Sequence, residues 1–254
     1  MKFIAILSLI ILVSCNTKQT KEKVIDNTHK KIISKVNNSI NEKTKEDSTD
    51  TEIIETFVDS LNIGVKGKCK IELTKHRINY DNYILIKFYV KGRNSIKENE
   101  SWMIQNEYSY KTNAIMEFQP SISDFNNDNF NDITFISGSA VRGSNEVRRL
   151  FIYDYNKKKL LSILNSEDYP NMLYNEELDC IDSFIVTGTT TTVFAKILGD
   201  SLKTFAYVHN DMDFNTIYLV NKEGIERELY KVKSEDLYIR HKNYKPLIEY
   251  KIKK

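Results

Sequence analysis

The amino-acid sequence predicts a mainly β protein: an antiparallel β-sandwich or a partial β-propeller-like domain, preceded by one short helix. Tyr and Phe, which favour strands, are abundant at 15 and 12 residues. Gly and Pro, at 8 and 3 residues, are too scarce for a collagenous or Gly/Pro-rich disordered body. From Val65 onward, short apolar or alternating segments are separated by turn residues, and no repeat of fixed period connects them. Such a succession of short strands is typical of sandwiches, barrels and propellers.

The strands are predicted from the same pattern along the chain. Cys69, Ile71 and Leu73 alternate with polar residues, and Tyr83–Val90 is almost continuously apolar. The other candidate strands are Trp102–Ile104, Ala114–Phe118, Ile133–Ile136, Arg149–Tyr153, Leu160–Leu164, Ser183–Val186, Thr191–Leu198, Phe205–Val208, Ile217–Val220, Ile225–Tyr230 and Leu247–Tyr250. Asn221–Gly224 is typical of a hairpin turn.

The short helix is predicted just before this β region. Its apolar residues, at helical spacing, are Ile53, Ile54, Phe57, Val58 and Leu61. Ser48–Thr51 offers N-cap candidates immediately before them. We therefore expect a helix that packs its apolar face on the domain.

The first 15 residues resemble a bacterial lipoprotein signal. Met1-Lys2 is a basic start, and Phe3–Val13 is an apolar segment too short to span a bilayer as a helix. Leu12-Val13-Ser14-Cys15 resembles the lipobox, whose Cys is lipidated and becomes the new N-terminus. This implies that residues 1–14 are removed and that acyl chains on Cys15 anchor the protein. We expect an outer-membrane lipoprotein that faces the periplasm, with surface exposure left open; a generic signal sequence with a chance Cys is the alternative.

Composition divides the remaining chain into two parts. Residues 15–50 are rich in Lys, Asn, Thr, Ser and Glu and contain no aromatic residue, which is typical of a flexible tether. Residues 51–254 are predicted to form a single β-rich domain. The formal net charge of +2 gives no indication of a nucleic-acid partner.

Two cysteines remain once Cys15 is assigned to the lipid. Cys69 and Cys180 both lie in strand-like segments, and the periplasm is oxidising. A disulfide between them is therefore possible. Two buried free thiols are the alternative, because the sequence does not fix their separation.

The sequence indicates binding rather than catalysis. Its four His residues are isolated, and neither H-E-x-x-H nor a G-x-S-x-G nucleophile elbow occurs. No pair of carboxylates indicates a glycosidase. We expect that the protein is not an enzyme.

The stretch Asp124–Asp132 has the spacing of a calcium-binding loop. Asp124, Asn126, Asp128 and Asp132 occupy positions 1, 3, 5 and 9, and Phe130 at position 7 offers a backbone carbonyl. Position 6, usually a left-handed Gly, is Asn, and the Glu of an EF-hand is missing at position 12. We expect a structural calcium ion; an Asn/Asp-rich turn held by its own side chains is the alternative.

A loop of small residues follows the next predicted strand. Ser137-Gly138-Ser139 and Arg142-Gly143 form an S-G-S-x-x-R-G sequence, which resembles the loop that bacterial lysozyme inhibitors insert into the lysozyme cleft. Such a cleft carries two carboxylates, which a Ser hydroxyl and an Arg guanidinium can bind. A hairpin loop without a partner is the alternative, since S-G-S is a common string.

The order of acidic loop, strand, Ser/Gly loop and Leu150–Asp154 resembles one family in particular. These are calcium-binding lipoproteins that act as immunity proteins against type IV-secreted peptidoglycan hydrolases. They are similar in fold to periplasmic lysozyme inhibitors, with an integrin-type calcium loop in a body described as part of a propeller. The resemblance covers about residues 121–198. It implies that Ser137, Ser139 and Arg142 reach the enzyme and that Asp124, Asn126, Asp128 and Asp132 hold the ion.

The sequence thus favours a lipid-anchored periplasmic protein that inhibits a lysozyme-like peptidoglycan hydrolase by inserting the Ser/Gly/Arg loop into its active cleft. A calcium-stabilised adhesion module, which binds a glycan or protein at the cell envelope, is the alternative function. An enzyme that acts on cell-wall sugars is the third possibility.

Overall fold

The computed structural model describes residues 51–93, 100–234, 236 and 238–250. Residues 1–50, where the predicted signal sequence, the predicted lipidation site Cys15 and the predicted tether fall, lie outside the described residues. In the described residues, helical structure is limited to the two three-residue 3-10 turns Val141–Gly143 and Ser166–Asp168, and no helix could cross a membrane.

The strands form three antiparallel sheets and one hairpin, and neighbouring strands are consecutive in the sequence. Sheet 1 contains β1 (Thr51–Asp59), β2 (Cys69–Ile78), β3 (Asp81–Arg93) and β4 (Glu100–Thr112). Sheet 2 contains β5 (Ser121–Ser123), β6 (Asp132–Ala140), β7 (Asn145–Asp154) and β8 (Lys159–Ser162). Sheet 3 contains β9 (Leu173–Asn175), β10 (Cys180–Val186), β11 (Thr190–Leu198), β12 (Ser201–Asn210), β13 (Phe214–Val220) and β14 (Glu226–Lys233). The hairpin contains β15 (His241–Tyr244) and β16 (Leu247–Glu249).

Sheet 2 lies in the middle of this arrangement, because alternate residues of β7 belong to two different hydrophobic clusters. Phe151 and Tyr153 pack with the inward residues of sheet 1, which include Phe88. Leu150 and Ile152 pack with residues of sheet 3. Strand β6 is likewise buried on both faces, since residues 132–137 are all buried, as expected for a strand of a middle layer.

The opposite face of sheet 3 carries a third cluster. Phe194 and Ile217 of this sheet pack there with Tyr244 and Leu247 of the β15–β16 hairpin. The described residues therefore form a stack of antiparallel layers, and the predicted mainly β, sandwich-like fold is confirmed.

The prediction of a short N-terminal helix is wrong, because the segment forms a strand. Its apolar residues belong to β1, in which Ile53 pairs with His76 and Phe57 with Leu73 of β2. Ile, Val and Thr are abundant in this segment and favour extended backbone, and the register shift between Ile53 and Glu55 breaks strict alternation. The apolar positions consequently mimic helical spacing. The predicted strand Ala114–Phe118 is also wrong, since these residues form a loop between β4 and β5.

The disulfide is not formed, and both thiols are free. Cys69 belongs to the cluster between sheets 1 and 2, whereas Cys180 belongs to the cluster on the far face of sheet 3. Whole layers of the fold separate the two residues. Burial raises the pKa of the Cys180 thiol to about 12, so this side chain behaves as a small apolar group.

Candidate functional site

The two loops singled out by the sequence lie at opposite ends of β6. The acidic loop precedes Asp132, and the Ser/Gly loop begins at the other end of the strand and continues to Asn145. Nine residues of extended chain span about 26 Å, at about 3.3 Å for each of eight steps. A cation in the acidic loop would therefore act on the Ser/Gly loop only through the strand.

Residues 139–144 form the exposed tip of the β6–β7 hairpin, and we call them the finger. Ser139 pairs with Glu146, and Ala140 pairs with Asn145. The tip is a 3-10 turn in which Val141, Arg142 and Gly143 all have positive φ, at 50°, 54° and 91°. Left-handed backbone is costly for a β-branched residue such as Val141, and local strain of this kind is common at functional loops.

Arg142 is exposed, and its guanidinium makes no hydrogen bond or ion pair with any residue in the described part of the chain. Ser139 is also exposed, on the strand end that leads into the turn. The finger therefore presents a hydroxyl, a guanidinium and the backbone of Gly143 to solvent. This arrangement is suited to binding a carboxylate of another molecule.

Ser137 belongs to the base of the hairpin rather than to the finger. It is only 8% exposed, and its hydroxyl donates to Glu167 Oε1 at 2.7 Å. Arg149 donates to the other oxygen of the same carboxylate at 2.6 Å. Gly138 is half-buried and pairs with Val147. Of the residues assigned to the inhibitory loop, Ser139, Arg142 and Gly143 are therefore the exposed ones.

The base of the hairpin is held by bonds from the β4–β5 segment. Thr112 Oγ1 donates to the Ser137 carbonyl at 3.0 Å, and the amide of Ile136 donates to the Phe118 carbonyl at 2.7 Å. The Arg149 guanidinium lies 3.8 Å from the centre of the Tyr110 ring. These contacts fix the direction of β6 and β7 where the finger emerges.

The acidic loop is held by its own carboxylates. Asp124 accepts hydrogen bonds from the amides of Asn126, Asp128 and Asn129, at 3.1, 3.2 and 2.7 Å. Asp128 accepts one from the amide of Phe130 at 2.9 Å and one from the Asn126 side chain at 3.0 Å. These hydrogen bonds form Asx turns. A turn held by its own side chains was the alternative to a metal site.

Asp132 is the buried member of the loop, at 0% exposure. Its oxygens accept hydrogen bonds from the amides of Phe125 and Tyr153, both at 2.8 Å. Burial, with a smaller contribution from the negative charges of Asp128 and Asp124, raises the pKa of this carboxyl to about 8. The three carboxylates therefore lie within electrostatic reach of one another.

The oxygen-only donor set of this loop suits calcium chemically. Asn126 Oδ1 is buried and has no hydrogen-bond partner among the described residues. Asn129, at the position usually occupied by Gly, is left-handed with φ 70°, as a calcium loop requires. The carboxylates nevertheless do not converge, since no group of three or more His, Cys, Asp or Glu side chains in the described residues could hold a metal ion.

Two ion pairs, each with one buried partner, could not be predicted from the sequence. Lys75, at 2% exposure, lies 3.3 Å from Glu55 across sheet 1. Asp182 pairs with Arg240, which comes 58 residues later in the chain. No local sequence signal identifies either pair, because strand register and layer packing bring the partners together.

Comparisons with known proteins give little further identification. No family model matches the chain, and no curated protein matches it. One similar solved structure is described as a "Xanthomonas Type IV Secretion System related protein". It shares 10% identity over 74% of this chain and 96% of its own length, with a TM-score of 0.40. At this level the similarity carries no argument about function.

Proposed function

We propose that this chain is a lipid-anchored, non-enzymatic protein of the bacterial cell envelope that inhibits a lysozyme-like peptidoglycan hydrolase by inserting its finger into the active cleft. The location, an outer-membrane lipoprotein facing the periplasm, rests on the sequence up to Cys15. The role as an immunity protein against a hydrolase delivered by type IV secretion rests on the resemblance of residues 121–198.

The exposed, unpaired guanidinium of Arg142 is the observation that carries this proposal. Glycoside hydrolases place two carboxyl groups on either side of the bond that they cleave. A guanidinium binds a carboxylate through two parallel charge-assisted hydrogen bonds, and the hydroxyl of Ser139 can donate one more. Arg142 is free to do so because no carboxylate of the described chain competes for it.

The braced base of the hairpin supports insertion. A loop that is ordered before binding loses less conformational entropy when it enters a cleft. Thr112 and Phe118 hold the two backbone positions at which β6 approaches the finger. The small side chains of Ser139, Ala140 and Gly143 keep the finger narrow.

The test is an inhibition assay with a panel of peptidoglycan hydrolases and the full mature chain. Wild-type protein should inhibit at least one enzyme. Arg142→Ala should weaken inhibition by about 10- to 150-fold, the loss in affinity that corresponds to the free energy of one hydrogen bond to a charged group. Arg227→Ala is the matched control, since Arg227 is exposed on the edge strand β14. The proposal fails if no enzyme is inhibited, or if Arg142→Ala inhibits as well as wild type.

Calcium in the acidic loop is part of the same proposal. Asp124, Asn126, Asp128 and Asp132, with the Phe130 carbonyl, would hold the ion once their oxygens exchange hydrogen bonds to the loop's own amides for the cation. The bound ion would stiffen the entry to β6. At 100 times the dissociation constant, binding adds about 2.7 kcal/mol and raises the melting temperature by about 5–10 °C. Asp128→Asn should abolish this increase. Equal melting temperatures in calcium and in chelator would leave the self-bonded turn as the correct description.

The alternative function, an adhesion module that binds a glycan or protein, is favoured by a separate cleft. It has a volume of about 540 Å³ and lies between β9 and the β15–β16 hairpin. Tyr174, Tyr250 and Glu176 line it, a mixture of aromatic and polar groups that is common in ligand sites. Glycan binding that survives Arg142→Ala but is lost in Tyr250→Ala would favour this function. Turnover of cell-wall sugars by the purified protein would instead show an enzyme.

A further inference from the structure

The loop between β4 and β5 exposes two large apolar side chains. Ile115 is 99% exposed and Met116 is 41% exposed, and we call this pair the prong. On either side of it, Ala114 and Phe118 are buried at 6% and 0% exposure. The loop is thus anchored by its ends and directs the prong outward.

The ion pair between buried Lys75 and half-buried Glu55 fixes the backbone of this loop. The ammonium group of Lys75 donates to the Met116 carbonyl at 2.6 Å and pairs with Glu55. The same Glu55 carboxylate accepts hydrogen bonds from the Phe118 amide, at 2.9 and 3.1 Å. Burying an ammonium group is costly unless it is paired and fully bonded, and here both partners also hold the loop. The prong is therefore presented by ordered backbone.

The prong adjoins the finger. The Thr112 hydroxyl donates to the Ser137 carbonyl and accepts a hydrogen bond from the Ala114 amide at 3.0 Å, and the Phe118 carbonyl binds the amide of Ile136. The β4–β5 loop is thus bonded to the base of the finger at two places. Val141, 46% exposed in the finger itself, adds a further apolar side chain at the same end of the molecule.

We propose that the prong is a second contact with the same hydrolase, and that it packs on an apolar part of the wall beside the cleft that the finger enters. This inference rests on the proposed function. The partner follows from continuity: a protein that receives the finger is brought against the loop that braces it. The two contacts differ in chemistry, since Arg142 contributes charge and direction and Ile115 contributes apolar area.

The test compares Ile115→Asp with wild type, using the full mature chain and a hydrolase that the wild type inhibits. Burying an isoleucine side chain at an interface raises affinity by about 10- to 100-fold. Ile115→Asp should therefore weaken inhibition by the same factor. The melting temperature should stay unchanged because Ile115 makes almost no contact within the fold. Ile225→Asp is the control, since Ile225 is a 65% exposed isoleucine in the β13–β14 turn.

The possible outcomes separate this inference from the proposed function. If Ile115→Asp inhibits as well as wild type while Arg142→Ala inhibits less, the proposed contact through the prong is wrong and the proposed insertion of the finger stands. Absence of inhibition by the wild type overturns both. Unchanged inhibition together with loss of vesicle binding, or loss of self-association, would assign the prong to a membrane or to a second copy of the chain and also overturn the inference.

Discussion

Replacing His241 with Leu should remove a specific acid sensitivity of the fold. His241 begins β15 and is 3% exposed, and neither ring nitrogen has a hydrogen-bond partner among the described residues. Burial lowers the pKa of the imidazole from 6.5 to about 4. Since no side-chain hydrogen bond is lost, His241→Leu should be as stable as wild type at pH 7.

The magnitude follows from the difference in proton binding between the two states. Below pH 6.5 the unfolded chain protonates this residue, whereas the folded protein keeps it neutral down to about pH 4. The free energy of unfolding therefore decreases as the pH falls through this interval. At about 1.4 kcal/mol for each pH unit, the interval from 6.5 to 4 corresponds to about 3 kcal/mol.

Urea denaturation of wild type and His241→Leu at pH 7, 5.5 and 4 measures this effect. Other titrating groups are common to both proteins, so the difference between the two unfolding free energies isolates His241. The variant should gain about 3 kcal/mol relative to wild type between pH 7 and pH 4. Parallel pH profiles would refute the reasoning, because they would show that the imidazole is not buried in its neutral form.

Two further predictions concern the packing that positions the loops. Gly64 has φ +56°, and a Cβ there would lie 3.0 Å from the Cys69 sulfur, so Gly64→Ala should cost about 2–3 kcal/mol in unfolding free energy. Gly67 has φ +69° but open space around it, so Gly67→Ala should cost only about 1 kcal/mol. Equal costs would show that the packing around Gly64 can relax. Asp182→Ala removes the carboxylate partner of the half-buried Arg240 guanidinium and should cost about 3–5 kcal/mol in unfolding free energy, part of which a second substitution of Arg240 should recover. A double-mutant cycle without coupling would contradict the pairing.

The sheets could be predicted from the sequence because their side-chain patterns are local. The alternating segment Cys69–Leu73 lies within β2, and the mostly apolar segments Tyr83–Val90 and Ile133–Ile136 lie within β3 and β6. The error at Ile53–Leu61 has a local cause as well. On an edge strand with a register shift, apolar side chains need not alternate, and Ile53 is 67% exposed, so burial did not determine its spacing.

The candidate site could be located from the sequence but not described in detail. Glycine and small residues indicated a loop at positions 137–145. The structure places residues 137–140 in β6, and the left-handed turn is confined to residues 141–143. The sequence could not separate buried Ser137 from exposed Ser139, because the partner of Ser137 is Glu167, 30 residues away. The support from Lys75 is non-local for the same reason, since it depends on register within sheet 1.

A photo-crosslinking amino acid in place of Ser139, in the full mature chain bound to an inhibited hydrolase, tests the insertion of the finger most directly. Mass spectrometry should place the crosslinks on enzyme peptides beside the two catalytic carboxylates, and an oligosaccharide that fills the cleft should suppress them. Crosslinks to a surface remote from the cleft, or yields unaffected by the oligosaccharide while inhibition persists, would contradict the proposed mode of binding.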